Sequence, residues 1–111
     1  MPRAEYLGEF ELVVMLALDR LAGEAYGMEV YDEIVHATGR ELSAPTVYVT
    51  LSRLERKGFT RVRMGRPTGE RGGRARKFHG MTREGRDELT RSKRMLSRLW
   101  SPAPADPAAQ T

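Results

Sequence analysis

The chain contains no cysteine among its 111 residues. That removes the disulfide framework, the thiolate nucleophile and the thiolate metal site together. Histidine is nearly absent as well. The two copies, His36 and His79, fall on separate predicted elements, so few metal-ligand combinations are left. No apolar run approaches the roughly 20 residues that a membrane-spanning helix needs. The opening Met1-Pro2-Arg3-Ala4-Glu5-Tyr6 lacks the apolar stretch and cleavage site of a secretory leader, which sets a cytoplasmic expectation. Paired acids for catalysis are also missing. Asp32 and Glu33 are adjacent on a predicted helix and diverge by about 100°. Ser43, Ser52, Ser92, Ser97 and Ser101 have no recognisable base or nucleophile elbow beside them. Enzymatic function is not expected, and no cofactor is implied.

What the chain does have is segregated charge. The overall net charge is +4. Residues 1–52 hold three basic side chains against nine acidic ones, a net of −6. Residues 53–77 hold ten against two, a net of +8, and residues 78–111 hold six against four, a net of +2. Concentrating one sign in a short stretch costs self-repulsion and is expected where a polyanion is bound.

Hydrophobic periodicity defines the elements. Phe10, Val13, Val14, Ala17, Leu18 and Leu21 recur at spacings of three and four, which predicts a helix over 8–21. Ala22-Gly23-Glu24-Ala25 breaks it. A second helix is expected over 26–38, with Gly39 as its stop. Ser43-Ala44-Pro45 opens a third, with a capping residue followed by a proline suited to a first turn, and Gly58 ends it. The period then changes. Residues 59–64 and 76–81 read as paired strands joined by a glycine- and arginine-rich loop. Thr82-Arg83-Glu84 opens a fourth helix reaching about Trp100. Leu89, Ser92, Leu96 and Leu99 form an a/d-type seam along it. The tail over 101–111, with Pro102, Pro104 and Pro107, is expected to be disordered.

The order helix, helix, helix, strand, wing, strand, helix is that of a winged helix-turn-helix: mainly α, with a two-stranded β wing. The expected division is a DNA-binding domain over 1–82, a C-terminal helix over 83–100 bearing the a/d-type seam, and the tail. With Leu51 taken as the centre of the third helix's buried face, Val47, Leu54 and Gly58 fall within about 60° of it. Thr46, Val49, Thr50, Arg53, Arg56 and Lys57 then form the exposed face. Threonine and arginine can address base edges, valine can meet a thymine methyl, and basic ends can meet phosphates. Ser43 begins the helix and brings its positive dipole end to the polyanion. Tyr48 can pack its ring inward and aim its hydroxyl at a phosphate. On the wing, Arg66, Arg71 and Arg74 occupy the tip, suited to a minor groove, while Arg61, Arg63, Arg76 and Lys77 line the strands. No Gly-Lys-Ser or Gly-Lys-Thr accompanies the glycines, so a nucleotide site is not supported.

Four ordered motifs resemble those of the PadR family of bacterial regulators. They are Leu7-Gly8-Glu9-Phe10-Glu11-Leu12 followed by Leu16-Ala17-Leu18, then Ala25-Tyr26-Gly27-Met28-Glu29-Val30, the run Thr46 to Gly58, and Lys77 to Gly85. The motifs run from Leu7 to Gly85, and the resemblance as a whole covers about residues 7–100. The resemblance implies a homodimeric, repressor-type binder of double-stranded DNA with a two-fold symmetric operator. The third helix would enter the major groove, and the C-terminal and N-terminal helices would make the dimer. Phe10, Leu89, Leu96, Leu99 and Trp100 are the matching dimerisation candidates. A flat aromatic effector held between C-terminal helices would meet Leu96, Leu99 and Trp100, although plain dimer packing accounts for the same residues. The chain departs from the family pattern at Pro45, often glycine, at Val49, often proline, and at Phe78-His79, often two tyrosines. A winged helix that binds protein rather than DNA is the alternative, and its expected face is apolar or acidic. Double-stranded RNA is a third option, because phosphate contacts alone do not separate it from DNA.

Overall fold

The computed structural model describes residues 6–65 and 76–104. The elements run α1 (Glu9–Arg20), β1 (Glu24–Tyr26), α2 (Gly27–Thr38), α3 (Ala44–Arg56), β2 (Thr60–Met64), β3 (Lys77–Met81) and α4 (Arg83–Trp100). The four helices expected from periodicity are all present, with ends shifted by a residue or two. The fold is mainly helical, with a small antiparallel sheet of three strands rather than the two expected.

The additional strand is β1. A turn on Ala22 (φ 65°) and Gly23 (φ 89°) ends α1 and brings Glu24–Tyr26 alongside β3, making the order β1-β3-β2. Glu24 lies opposite Gly80, Ala25 opposite His79 and Tyr26 opposite Phe78. On the other side Arg61 faces Gly80, Val62 faces His79 and Arg63 faces Phe78. Three residues carry too little alternation of their own to announce a strand. The free edge of β3 supplies the hydrogen bonds that make one.

Helix ends follow local chemistry. The backbone N–H of Gly8 donates to Glu11 Oε1 (2.7 Å), and that of Tyr26 to Glu29 Oε1 (2.8 Å), each satisfying a donor at a helix start. Thr82 accepts from the Gly85 N–H (3.0 Å), as its position before α4 predicts. Ser43 occupies the cap position of α3, but its hydroxyl bonds the Thr46 hydroxyl (2.9 Å) instead of a backbone N–H.

One core unites these elements. Val14, Met15 and Leu18 of α1, Val30 and Ile34 of α2, and Val47, Leu51 and Leu54 of α3 are all essentially inaccessible. Phe59, Met81, Ala25 and Leu89 extend this core toward the sheet and α4. Leu89 corrects the expected seam. It is 3% exposed and packs inside its own chain, whereas Leu99 (78%) and Trp100 (85%) are open and Leu96 is half-buried. The seam splits because only the first half of α4 reaches the body of the domain. Gly85, Glu88, Leu89 and Ser92 are its buried residues. Phe10 is half-buried against the core beneath the Arg40 guanidinium. No helix among the described residues is long and apolar enough to cross a membrane. The predicted tail lies, from residue 105 on, outside the described residues.

Candidate nucleic-acid interface

Helix α3 displays much of the expected face, but rotated. Thr46, Tyr48 (42% exposed), Val49 (55%), Arg53 and Arg56 are open. Thr50 is not. It is 4% exposed, and its hydroxyl donates to the Thr46 carbonyl (2.8 Å). The reason is angular. Val47 and Leu54 both lie on the same side of Leu51, by about 40° and 60°, so the true centre of the buried arc sits about 30° from Leu51. Thr50 lies about 70° from that centre, nearer than any other residue of the expected face, and Gly58 lies exposed beyond the helix end. Recentring also moves Ser52 onto the exposed face beside Val49 and Arg56. Sequence reading missed this residue. The signal was available in the joint positions of Val47, Leu51 and Leu54.

Lys57 departs as well. Its ammonium lies 2.9 Å from Glu11 Oε1 and 3.3 Å from the Tyr6 carbonyl, so it is turned back onto α1 rather than outward. Burial pushes the Glu11 carboxyl upward. The Gly8 N–H and the Lys57 ammonium, with Arg53 nearby, outweigh it and hold the group below the usual carboxylate range.

The base of the wing is positively charged. Arg61, Arg63, Arg76 and Lys77 are all exposed. Arg63 approaches Glu24 at 3.9 Å, a weak pairing. Among the described residues, no ion pair engages Arg53, Arg56, Arg61, Arg76 or Lys77. Residue parity places Arg61 and Arg63 on the outer face of β2, with Phe78 next to them on β3. The tip arginines, Arg66, Arg71 and Arg74, lie outside the described residues.

The wing and α3 are tied together through α2. A Cβ at Gly27 would run into the Tyr48 ring, so this ring seats directly on the backbone at the start of α2. The inner face of β3 carries His79, buried at 4% exposure with neither ring nitrogen hydrogen-bonded. Burial lowers its pKa from the ordinary 6.5, with Lys77 adding to the effect and Glu55 opposing it. Among the described residues no group of three His, Asp or Glu side chains could hold a metal ion.

An outward-facing third helix beside an arginine-lined hairpin defines a winged-helix DNA-binding architecture. The chain belongs to the PadR-like family of transcriptional regulators, whose family model matches residues 14–91. It is therefore a transcription regulator and not an enzyme. Solved structures agree. A PadR family regulator from Eggerthella lenta DSM 2243 is 27% identical, with a TM-score of 0.63 over 82% of this chain and 79% of that one. One from Clostridium difficile R20291 is 24% identical, with a TM-score of 0.67 over 83% and 91%. F93 from STIV, described as a winged-helix DNA-binding protein, shares the fold at 14% identity, with a TM-score of 0.68 over 86% and 95%. No curated protein sequence matches the chain.

Proposed function

We propose that this regulator binds double-stranded DNA sequence-specifically as a cytoplasmic homodimer and acts as a repressor on a two-fold symmetric operator. One observation carries the reading. The open face of α3, with Arg53 and Arg56 unpaired among the described residues, adjoins a wing base bearing Arg61, Arg63, Arg76 and Lys77. Thr46, Val49 and Ser52 are the candidates for base contacts, and Tyr48, Arg53 and Arg56 for phosphate contacts. The arginines at the wing tip, Arg66, Arg71 and Arg74, complete the proposed surface. An acidic or apolar face, as a protein-binding module would need, is not what α3 presents. Leu96, Leu99 and Trp100 are the proposed dimer contacts, since two of the three stand open at the free end of α4.

The test is a fluorescence-anisotropy titration against a duplex from the protein's own upstream region, with random duplex and double-stranded RNA as competitors, at two salt concentrations. If about six phosphates are neutralised per dimer, log affinity falls against log salt with a slope near −5. Preference for the upstream duplex with that slope supports the reading. Arg53→Ala, Arg71→Ala and Arg74→Ala should each weaken binding without lowering the melting temperature. Equal, salt-independent affinity for all three nucleic acids would overturn it.

A further inference from the structure

The outer face of the sheet carries a row of side chains with no place in the core. Arg63, Phe78 and Tyr26 stand directly opposite one another on β2, β3 and β1. The two rings meet edge to face, with centroids 4.8 Å apart and planes at 68°. The Arg63 guanidinium lies 4.3 Å from the Phe78 centroid, and the Arg76 guanidinium 4.2 Å from the Tyr26 centroid. Two cations thus flank an aromatic pair, and they come from the two sides of the wing. The Gly65 N–H donates to the Arg76 carbonyl (2.7 Å), closing the hairpin at its mouth. A Cβ at Gly65 would come 2.5 Å from the Tyr26 hydroxyl oxygen, so the missing side chain is what lets the Tyr26 ring reach across to Arg76.

The geometry points to Tyr26 and Phe78 as positioning residues for DNA binding: the ring pair holds Arg63 and Arg76 as a two-pronged phosphate clamp at the base of the wing. This rests on the DNA-binding reading above. A guanidinium is planar, and all five of its N–H donors lie in its plane. Stacking on a ring occupies a face and leaves those donors free for phosphate oxygens. It also restricts a long side chain before binding, so less conformational freedom is lost when DNA arrives. Structural need does not account for the row. The core face of the same strands is filled by Ala25, His79 and Val62, while Arg63 and Arg76 lie open to solvent. Glu24, 3.9 Å from Arg63, is the one anion paired with the row among the described residues, and a phosphate would compete with it. The clamp is also in register with α3. Tyr26 precedes Gly27, the residue on which Tyr48 seats, so ring pair and recognition helix are referenced to adjacent backbone positions.

The experiment is a double-mutant cycle on the full chain, read by affinity for the upstream duplex, salt slope and melting temperature. Tyr26→Phe, which keeps the ring, binds within twofold of the unmodified protein. Tyr26→Leu binds about 5- to 10-fold more weakly, and its salt slope shrinks by about one per protomer. In the Arg76→Ala background, Tyr26→Leu costs less than a further twofold. Should Tyr26→Leu melt early, Phe78→Leu against Arg63→Ala supplies an equivalent cycle. In the unmodified free protein, the Arg63 and Arg76 Nε–H resonances should carry a ring-current shift that Tyr26→Leu removes from Arg76. Additive costs in the cycle, or arginine resonances at unshifted positions, overturn the clamp even where the unmodified protein shows salt-dependent binding. Absence of salt-dependent binding by the unmodified protein overturns the DNA-binding reading itself, and the clamp with it.

Discussion

Lys57 Nζ lies 2.9 Å from Glu11 Oε1, joining the end of α3 to the first turn of α1 across 46 residues of sequence. The carboxylate is almost wholly buried and the lysine side chain 22% exposed, so this pair is partly shielded from water. The pair lies at the end of α3, and its effect is to hold that helix against α1.

Removing the cation should therefore act on stability. Lys57→Met leaves Glu11 with a buried charge and no ammonium, and the expected loss is roughly 1–3 kcal/mol. The salt slope of DNA binding should stay within about half a unit of the unmodified value. A full-unit decrease with an unchanged melting temperature would show instead that Lys57 contacts phosphate.

Glu11 also sets an acid limit. Its folded-state pKa is lowered from 4.5, so the unfolded chain binds its proton first. The stabilisation is complete above that unfolded value and is lost as pH falls through the folded one. Thermal unfolding between pH 3 and pH 6 should show this loss. Glu11→Gln should lower stability at pH 6 and flatten the acid limb.

His79 acts in a higher pH window. Burial disfavours its charged form, so its folded pKa lies below 6.5 and the unfolded state takes the proton first as pH falls. Stability is full above about pH 6.5 and declines below it until the folded pKa is reached. His79→Phe removes two buried nitrogens that have no hydrogen-bond partner and should flatten this decline without loss of stability at pH 7.5. A pH dependence unchanged between pH 5 and 7.5 in this variant would rule out His79 as its source.

The two halves of α4 should respond differently to mutation. Leu89→Ala opens a cavity in the core and should cost roughly 2–5 kcal/mol. Leu99→Ser combined with Trp100→Ser removes two exposed side chains and should change chiefly the sedimentation of the protein, toward monomer. Sedimentation velocity and thermal melts on both variants check this. A dimer surviving the double change would move the proposed contacts elsewhere.

On α3, the rotated face makes opposite predictions for two neighbours. Thr50→Val keeps the shape and loses only a hydroxyl bonded within the helix, so DNA affinity should change less than twofold. Ser52→Glu adds negative charge to the exposed face and should weaken binding at least tenfold, with the effect shrinking at high salt. Equal effects at both positions would mean that the face is not oriented as described.

Much of this was legible in the chain itself. The helices, the paired strands after Gly58 and the cationic stretch over 53–77 follow from residue spacing and type, which act locally. The four ordered motifs from Leu7 to Gly85 carried the family. Other features depended on partners distant in sequence. Glu24–Tyr26 became a strand because β3 had an open edge. Lys57 turned inward because Glu11 waited on α1. Leu89 left the seam because only half of α4 reaches the core, and Thr50 went inside because the buried arc is set jointly by three apolar residues. The row Arg63–Phe78–Tyr26 with Arg76 was invisible for the same reason. Periodicity records which side of an element is apolar, while pairing across strands and between helices depends on which other segments close over that side.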